Sequence, residues 1–292
     1  MRPGPCRVDA VMLEARASVL TKRSCKTEAK RAALKLVVAC MDLTTLEGKD
    51  TPGKVRGMCA RGISPAAGVP SVAAICVYPS LVPVAVSALA GSNVKVASVA
   101  TAFPSGLSPL EFKLRETRDA VAAGADEIDM VINRSAFLGG EYDLVSQEIA
   151  ATREACAGAT LKVILEVGEL GSYAAVRRAC DLALAAGADF LKTSTGKIGS
   201  ATTPAIALLM SEAIREYARR TGREVGLKLA GGIRTSKAAL AYVSIVHETL
   251  GNAWLAPERF RIGASSLLDD VLMQREKDAS GNYAGAVYVA VA

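Results

Sequence analysis

The segment GADFLKTSTGK sets Lys192 and Lys197 in a stretch that otherwise reads as a buried strand running into a Ser/Thr/Gly-rich turn. Lys228 lies in a comparable setting in EVGLKLAGG, and Lys162 in LKVILEVG. Two carboxylates, Asp129 in ADEIDMVIN and Asp42 in LKLVVACMDLT, complete a set of ionisable side chains inside apolar patterns. Buried charges are costly unless paired, so stability alone does not select such a set. Lysine chemistry does. An unperturbed lysine, with a pKa of about 10.4, is almost wholly protonated near neutrality and is a poor nucleophile. Two ammonium groups ~5 Å apart at an effective dielectric of ~20 repel by about 3 kcal/mol, a little over two pKa units. Burial acts in the same direction. Lys192 and Lys228 therefore read as an amine brought into range for carbonyl attack and the second cation that activates it. Asp129 is placed for proton transfer. The plainer reading is a paired charge layer that only fills the interior.

The elements that must position these groups follow a strict alternation. AVAAGADEIDMVIN and ALAAGADFLKTSTG nearly repeat each other: an Ala-rich helix end, a Gly suited to the left-handed cap, then Ala-Asp and an apolar strand. Eight strand segments emerge, LKLVVACMDLT, SVAAICVYP, VKVASVATAF, ADEIDMVIN, LKVILEVG, ADFLKTSTG, EVGLKLAGG and RFRIGASS, separated by helical patterns opened by Ser, Thr or Pro and closed by Gly. The spacing predicts an α/β fold, a closed (β/α)8 TIM barrel, with an N-terminal helical extension over 1–30, the barrel over 31–276 and a tail over 277–292. An open doubly wound sheet is the rival, but no G-x-G-x-x-G follows the first strand. Strand alternation then points Asp129, Lys192, Lys228, Lys162 and Asp42 at the barrel axis, opposite their apolar neighbours. Most lie near the C-terminal ends of their strands, where barrel enzymes do chemistry.

Composition narrows the classes. The 51% hydrophobic content supports a large core, and only 4% aromatics suits helices packed closely on a parallel sheet. The net charge of +6 comes without any block of like charges, which favours a small anionic ligand over nucleic acid. No run approaches the roughly 18 apolar residues of a membrane span. The seven cysteines, Cys6, Cys25, Cys40, Cys59, Cys76, Cys156 and Cys180, are scattered without a C-x-x-C pair and read as buried free thiols of a reducing compartment, hence cytoplasmic residence. His247 is the only histidine, so a His-rich catalytic zinc site cannot be assembled. It lies late in a helical segment, at a solvated position. The N-terminus is basic and partly amphipathic, which raises a transit peptide; Asp9, Glu14 and Glu28 argue for an ordinary extension packed on the main domain.

DFLKTSTGK, GLKLAGGIR, GADEIDMVINRS, MDLTTL, AAICVYP and FRIGASSLL together resemble the deoxyribose-phosphate aldolase family, class I aldolases on a (β/α)8 barrel, from about Leu34 to Leu268. SVATAFPSG and FRIGAS are closest to its longer, animal-type branch. The resemblance implies reversible cleavage of 2-deoxy-D-ribose 5-phosphate to acetaldehyde and D-glyceraldehyde 3-phosphate, in deoxyribonucleotide catabolism, with no metal, no diffusible cofactor and a homodimeric assembly. It implies Lys192 as the Schiff-base lysine, Lys228 as the group that depresses its pKa, and Asp129 as a proton shuttle through water. It sets Asp42, Thr44, Cys76, Lys162 and Thr193 near the sugar and its relay waters. Cys76 also reads simply as a small apolar residue facing the axis. Phosphate is expected at backbone N–H groups of Gly231 and Gly232 in AGGIR and of Gly263, Ser265 and Ser266 in GASS, with Lys197 adding a point charge.

Three features depart from the family pattern. Leu229 stands where a proline is usual, Val167 where a threonine is usual, and the chain ends GNYAGAVYVAVA in place of the common terminal tyrosine. Tyr283 or Tyr288 could substitute; the apolar tail also reads as packing on the barrel or on a neighbouring subunit. A shifted substrate choice and a catalytically silent scaffold are the readings that these departures leave open.

Overall fold

The two near-repeats occupy equivalent joints of the fold and do the same work. After Gly124 and Gly187, both in the left-handed region (φ 102° and 101°), each Asp turns back to the neighbouring strand. Asp126 accepts from the Val96 amide at 2.8 Å and Asp189 from the Leu161 amide at 2.9 Å. Each thereby satisfies a donor at a strand entrance.

The structure, a computed structural model, describes residues 7–23, 26–199 and 202–280. Its strands are β1 (Met41–Thr44), β2 (Ala74–Val77), β3 (Lys95–Ala100), β4 (Glu127–Val131), β5 (Thr160–Ile164), β6 (Phe190–Lys192), β7 (Gly226–Leu229) and β8 (Phe260–Ala264). They pair in sequence order, all parallel, and β8 closes on β1. The expected eight-stranded barrel is present, but the first expected strand segment, LKLVVACMDLT, is strand only from Met41, its first residues forming the end of α2. The helices are α1 (Ala10–Thr21), α2 (Thr27–Ala39), α3 (Pro52–Ile63), α4 (Val82–Ala88), α5 (Leu110–Ala122), α6 (Arg134–Leu138), α7 (Tyr142–Ala155), α8 (Tyr173–Ala185), α9 (Pro204–Thr221), α10 (Ser236–Leu250) and α11 (Leu267–Ser280). Several start on the caps that the sequence advertises: the side chains of Thr51, Ser172, Thr203 and Thr235 accept from backbone N–H groups of the first turn.

Helix α1 lies across α9 and α10, burying Leu13 and Ala17 and pairing Arg16 with Glu212 at 2.5 Å. Helix α2 crosses the boundary drawn at residue 31 and leads directly into β1. The chain beyond residue 280, with Tyr283 and Tyr288, lies outside the described residues, as do Cys6 and Cys25. The five described cysteines are free and buried. No described helix is long and apolar enough to cross a membrane.

Strand alternation divides the core in two. Odd-numbered apolar residues such as Met41, Ile75, Leu161, Leu191, Leu227 and Leu229 pack outward under the helices, together with even-numbered Ile128, Met130, Phe260 and Ile262 on strands of opposite phase. Inside, β2 and β3 contribute a small apolar cluster of Ala74, Cys76, Ala97 and Val99 with Leu46. Much of the rest of the interior is charged. At its lower end the Arg261 guanidinium lies 5.7 Å from the centre of the Phe190 ring, and a Cβ added at Gly226 would overlap that ring. Gly226 is therefore a packing requirement. Gly226→Ala is expected to lower stability by about 1–3 kcal/mol through overpacking, read as a lower denaturant midpoint; an unchanged midpoint would show that Phe190 moves freely.

Candidate active site

Register brings the interior charges together. Asp129 on β4 is paired with Lys162 on β5, Lys192 on β6 with Lys228 on β7, and Lys228 with Arg261 on β8. Lys192 Nζ lies 2.7 Å from Asp129 Oδ2, and Lys228 Nζ is also 2.7 Å from that same oxygen. The two nitrogens are thus no farther apart than those two bonds allow. Lys162 Nζ takes the other oxygen, Oδ1, at 2.9 Å. Lys228 Nζ also pairs with Asp42 Oδ2 at 2.5 Å, without hydrogen-bond geometry, leaving that buried oxygen with no hydrogen bond. All five expected axial groups meet here, and all are buried.

The environment separates the lysines. Burial pushes Lys192 down and Asp129 holds it up, while the Lys228 charge pushes it down again; the outcome is a pKa below the ordinary lysine value. Burial also opposes the charge of Lys228, but Asp129 and Asp42 overcome it and raise its pKa. Lys162 is raised as well, by Asp129 and Glu127 against burial. Asp129 is desolvated, yet Lys162, Lys192 and Lys228 hold its carboxyl well below the usual range. Charge repulsion between Lys192 and Lys228 therefore ranks behind burial, because Asp129 sits between the two ammonium groups and offsets it.

Above Lys192 opens a cleft of about 280 Å3 at the C-terminal ends of the strands. Thr44, Lys192 and Lys197 line it, with Gly231, Gly232, Gly263 and Ser265 on the side of β7 and β8. Gly231 and Gly232 have φ of 94° and 87°, a backbone turn that most residues disfavour and that lets the main chain line the cleft. Lys197 Nζ is paired with Glu47 at 2.8 Å across the mouth. Asp42, Asp129, Lys162 and Cys76 lie below the cleft, fully buried. Cys76 Sγ is 3.9 Å from Asp129 Oδ2, and burial followed by the Asp129 charge raises its pKa, so the thiol stays neutral.

Two expected residues fall elsewhere. The Thr193 hydroxyl donates to the Ala230 carbonyl at 2.9 Å and accepts from the Ala230 amide at 2.8 Å and from Thr202 at 2.8 Å. One position past Lys192, it faces the opposite way and fastens the end of β6 to the end of β7 instead of reaching into the cleft. Ser266 is exposed just ahead of α11, outside the cleft lining.

Sequence reasoning missed four groups. Glu127 and Arg261 belong to the buried charge layer, and the parity that found Asp129 points to Glu127 two residues earlier. Lys54 and Arg234 line the cleft mouth; Arg234 directly follows the Gly-Gly-Ile turn. Support for the rim comes from Glu166, a buried carboxylate with φ 53° that accepts from the Thr195 amide at 3.2 Å and lies 3.6 Å from the Arg134 guanidinium.

A closed (β/α)8 barrel with a cleft at the C-terminal ends of its strands has the architecture of a barrel enzyme. Residues 36–272 match the DeoC/LacD family aldolase, and the chain belongs to that family. It is 45% identical over 289 residues to the deoxyribose-phosphate aldolase of Mus musculus, covering 94% of this chain and 91% of that protein. It is 44% identical over 280 residues to the deoxyribose-phosphate aldolase of Homo sapiens, covering 91% and 88%. Among solved structures, the tetrameric deoxyribose phosphate aldolase of Aeropyrum pernix superposes with a TM-score of 0.66 at 25% identity, over 86% of this chain and 99% of that one.

The pKa directions have opposite consequences for stability. A lysine lowered on folding binds its proton more tightly in the unfolded chain, so at neutral pH it costs stability; a lysine raised on folding contributes stability below its unfolded pKa of about 10.4 and loses it as pH rises through the folded value. Lys192→Met, which leaves Asp129 with Lys162 and Lys228, is expected to melt close to or slightly above the wild type. Lys228→Met is expected to melt several degrees below it, since breaking a buried pair costs about 3–5 kcal/mol. Thermal melts at neutral pH check both, and the reverse order would contradict the assignment.

Proposed function

We propose that the chain reversibly cleaves 2-deoxy-D-ribose 5-phosphate to acetaldehyde and D-glyceraldehyde 3-phosphate through an imine on Lys192. The observation that carries this reading is the position of Lys192, the one interior lysine whose pKa is lowered, on the floor of the cleft and bonded to Asp129. The names of the relatives at 44–45% identity support the substrate.

The uncharged Lys192 amine adds to the C1 aldehyde of the open-chain sugar, and loss of water leaves a protonated imine. Removal of the C3 hydroxyl proton then breaks the C2–C3 bond. Its electron pair moves into the imine to give an enamine, and D-glyceraldehyde 3-phosphate departs. Protonation at C2 and hydrolysis return acetaldehyde and the free lysine. Asp129 Oδ2, touching both amines, is the path by which the proton of Lys192 leaves, and a water relayed to it serves the C3 hydroxyl. Lys228 stays charged throughout. Asp42, with one oxygen free of hydrogen bonds, and Thr44 suit the sugar hydroxyls and the relay waters. Lys162 holds Asp129 in place, and Cys76 fills the wall.

The phosphate reading rests on the N–H groups of Gly231, Gly232, Gly263 and Ser265, with Lys197, Lys54 and Arg234 around the same mouth. An incoming phosphate competes with Glu47 for Lys197. The chemistry needs no metal, and a homodimer remains the assembly expected on the family pattern. Five buried free thiols support a reducing, cytoplasmic setting, and the substrate fits deoxyribonucleotide catabolism.

Borohydride with acetaldehyde is expected to fix a two-carbon adduct on Lys192, identified by mass spectrometry. Lys192→Ala is expected to remove both the adduct and acetaldehyde release from 2-deoxy-D-ribose 5-phosphate. Unmodified wild type would favour the silent-scaffold reading. Turnover of the unphosphorylated sugar equal to that of the phosphate ester would favour a shifted substrate.

A further inference from the structure

The interior charges form a closed circuit with one branch. Arg261 Nη1 lies 2.6 Å from Asp42 Oδ1, and the other oxygen of Asp42 is 2.5 Å from Lys228. Lys228 reaches Asp129 at 2.7 Å, and Asp129 reaches Lys162 at 2.9 Å. Lys162 pairs with Glu127 Oε2 at 2.5 Å, and Glu127 Oε1 returns to Arg261 Nη2 at 2.7 Å. Three cations and three carboxylates thus alternate around a ring, which a longer contact between Lys162 and Asp42 Oδ2 at 3.6 Å crosses. Lys192 hangs from this ring by Asp129 alone. Every member is at most 5% exposed by side chain.

We propose that Arg261 is a positioning residue that sets the protonation of Lys192 by closing this ring. With Arg261 in place the ring is neutral by itself, and the Lys192 proton is the surplus charge. Without Arg261, three carboxylates face only Lys162 and Lys228, and a charged Lys192 becomes the third counter-ion. Arg261 touches neither Lys192 nor the cleft. It acts through Asp42 and Glu127, which it satisfies so that Lys228 and Lys162 are both free to serve Asp129.

The other groups around Lys192 do not duplicate this role. Cys76 on β2 is a neutral thiol, and the inward residues of β3, Ala97 and Val99, carry no charge. Glu47, Lys54, Lys197 and Arg234 lie at the cleft mouth, where Lys197 pairs with Glu47 and Lys54 with Asp50 at 2.7 Å. The directions of shift agree with the ring: Lys162, Lys228 and Arg261 are all raised, and Lys192 alone among the four bases is lowered.

The inference deepens the reading of Lys192 as the imine-forming amine and rests on it for its meaning in catalysis, but its test does not need the reaction. The Lys192 side chain is titrated directly by NMR in protein carrying 13C at the lysine ε-carbons, its signal assigned by its loss in Lys192→Met. A unit charge about 10 Å away at an effective dielectric near 20 moves a pKa by roughly one unit. Arg261→Met is therefore expected to move the Lys192 midpoint upward by about one pH unit or more, and Arg261→Lys to leave it near the wild-type value. Glu127→Gln, which deletes an anion, is expected to move it downward. If Arg261→Met does not fold, Arg261→Lys and Glu127→Gln decide. A midpoint that stays put in the charge-deleting variants, or that moves the same way in Arg261→Met and Glu127→Gln, overturns the proposal. A midpoint that moves as expected without any acetaldehyde adduct would instead overturn the imine reading and leave the ring standing.

Discussion

One carboxylate shared by three ammonium groups is the constraint on which the interior depends. Asp129 is fully buried, and its charge is held by Lys162, Lys192 and Lys228 around it. That need fixes the geometry of four consecutive strands. A slip of one residue in β4, β5, β6 or β7 would send a lysine or the aspartate under the helices, where apolar side chains pack. The barrel is thus held in register by the cost of moving these charges into the outer apolar layer.

The interior is lopsided, and the asymmetry matters for chemistry. On the side of β2 and β3, Ala74, Cys76, Ala97 and Val99 make a small apolar wall. On the other side lies the charge layer. Lys192 sits where these meet the floor of the cleft, with one carboxylate bound and only about 2% of its surface exposed. Desolvation is the largest influence on it for this reason. Around the mouth, the loops that carry the ligand groups are tied from below. Thr193 joins β6 to β7 through the Ala230 backbone, and Glu166 holds the Thr195 amide while Arg134 braces Glu166 from the first turn of α6. The left-handed backbone of Glu166 is the kind of strain that persists where surrounding contacts over-determine it.

Much of this was legible before any coordinates, and the reason is periodicity. Strand alternation is a strict two-residue rule, so Asp129 between Ile128 and Met130, or Lys228 between Leu227 and Leu229, could be assigned a direction from sequence alone. The same rule reaches Glu127 and Arg261, which were passed over because they lie toward the strand entrances, away from the end where barrel enzymes work. Thr193 failed for the opposite reason. It neighbours Lys192 in sequence and therefore cannot share its face in an extended strand. The cleft rim was least legible: which of Ser265 and Ser266 lines the mouth, or that Lys54 approaches it from α3, depends on loop paths that no periodic pattern encodes.

Two departures from the family pattern, Leu229 and Val167, fall where this architecture tolerates them. Leu229 replaces a residue whose fixed φ would stiffen the chain after Lys228, yet the backbone there is already clamped on both flanks. The Lys228 carbonyl accepts from the Thr193 amide at 3.1 Å, and the next residue but one, Ala230, is held through both its amide and its carbonyl by the Thr193 hydroxyl. Leu229 itself points outward and is fully buried in the apolar layer. Val167 is likewise buried, and its amide donates to the Thr193 carbonyl at 3.0 Å, a backbone bond that any residue except proline can make. Both positions lie in segments that Thr193 holds through backbone contacts. The hydroxyl that sequence resemblance set beside the sugar thus serves instead as the fastening that keeps Lys192 and Lys228 side by side.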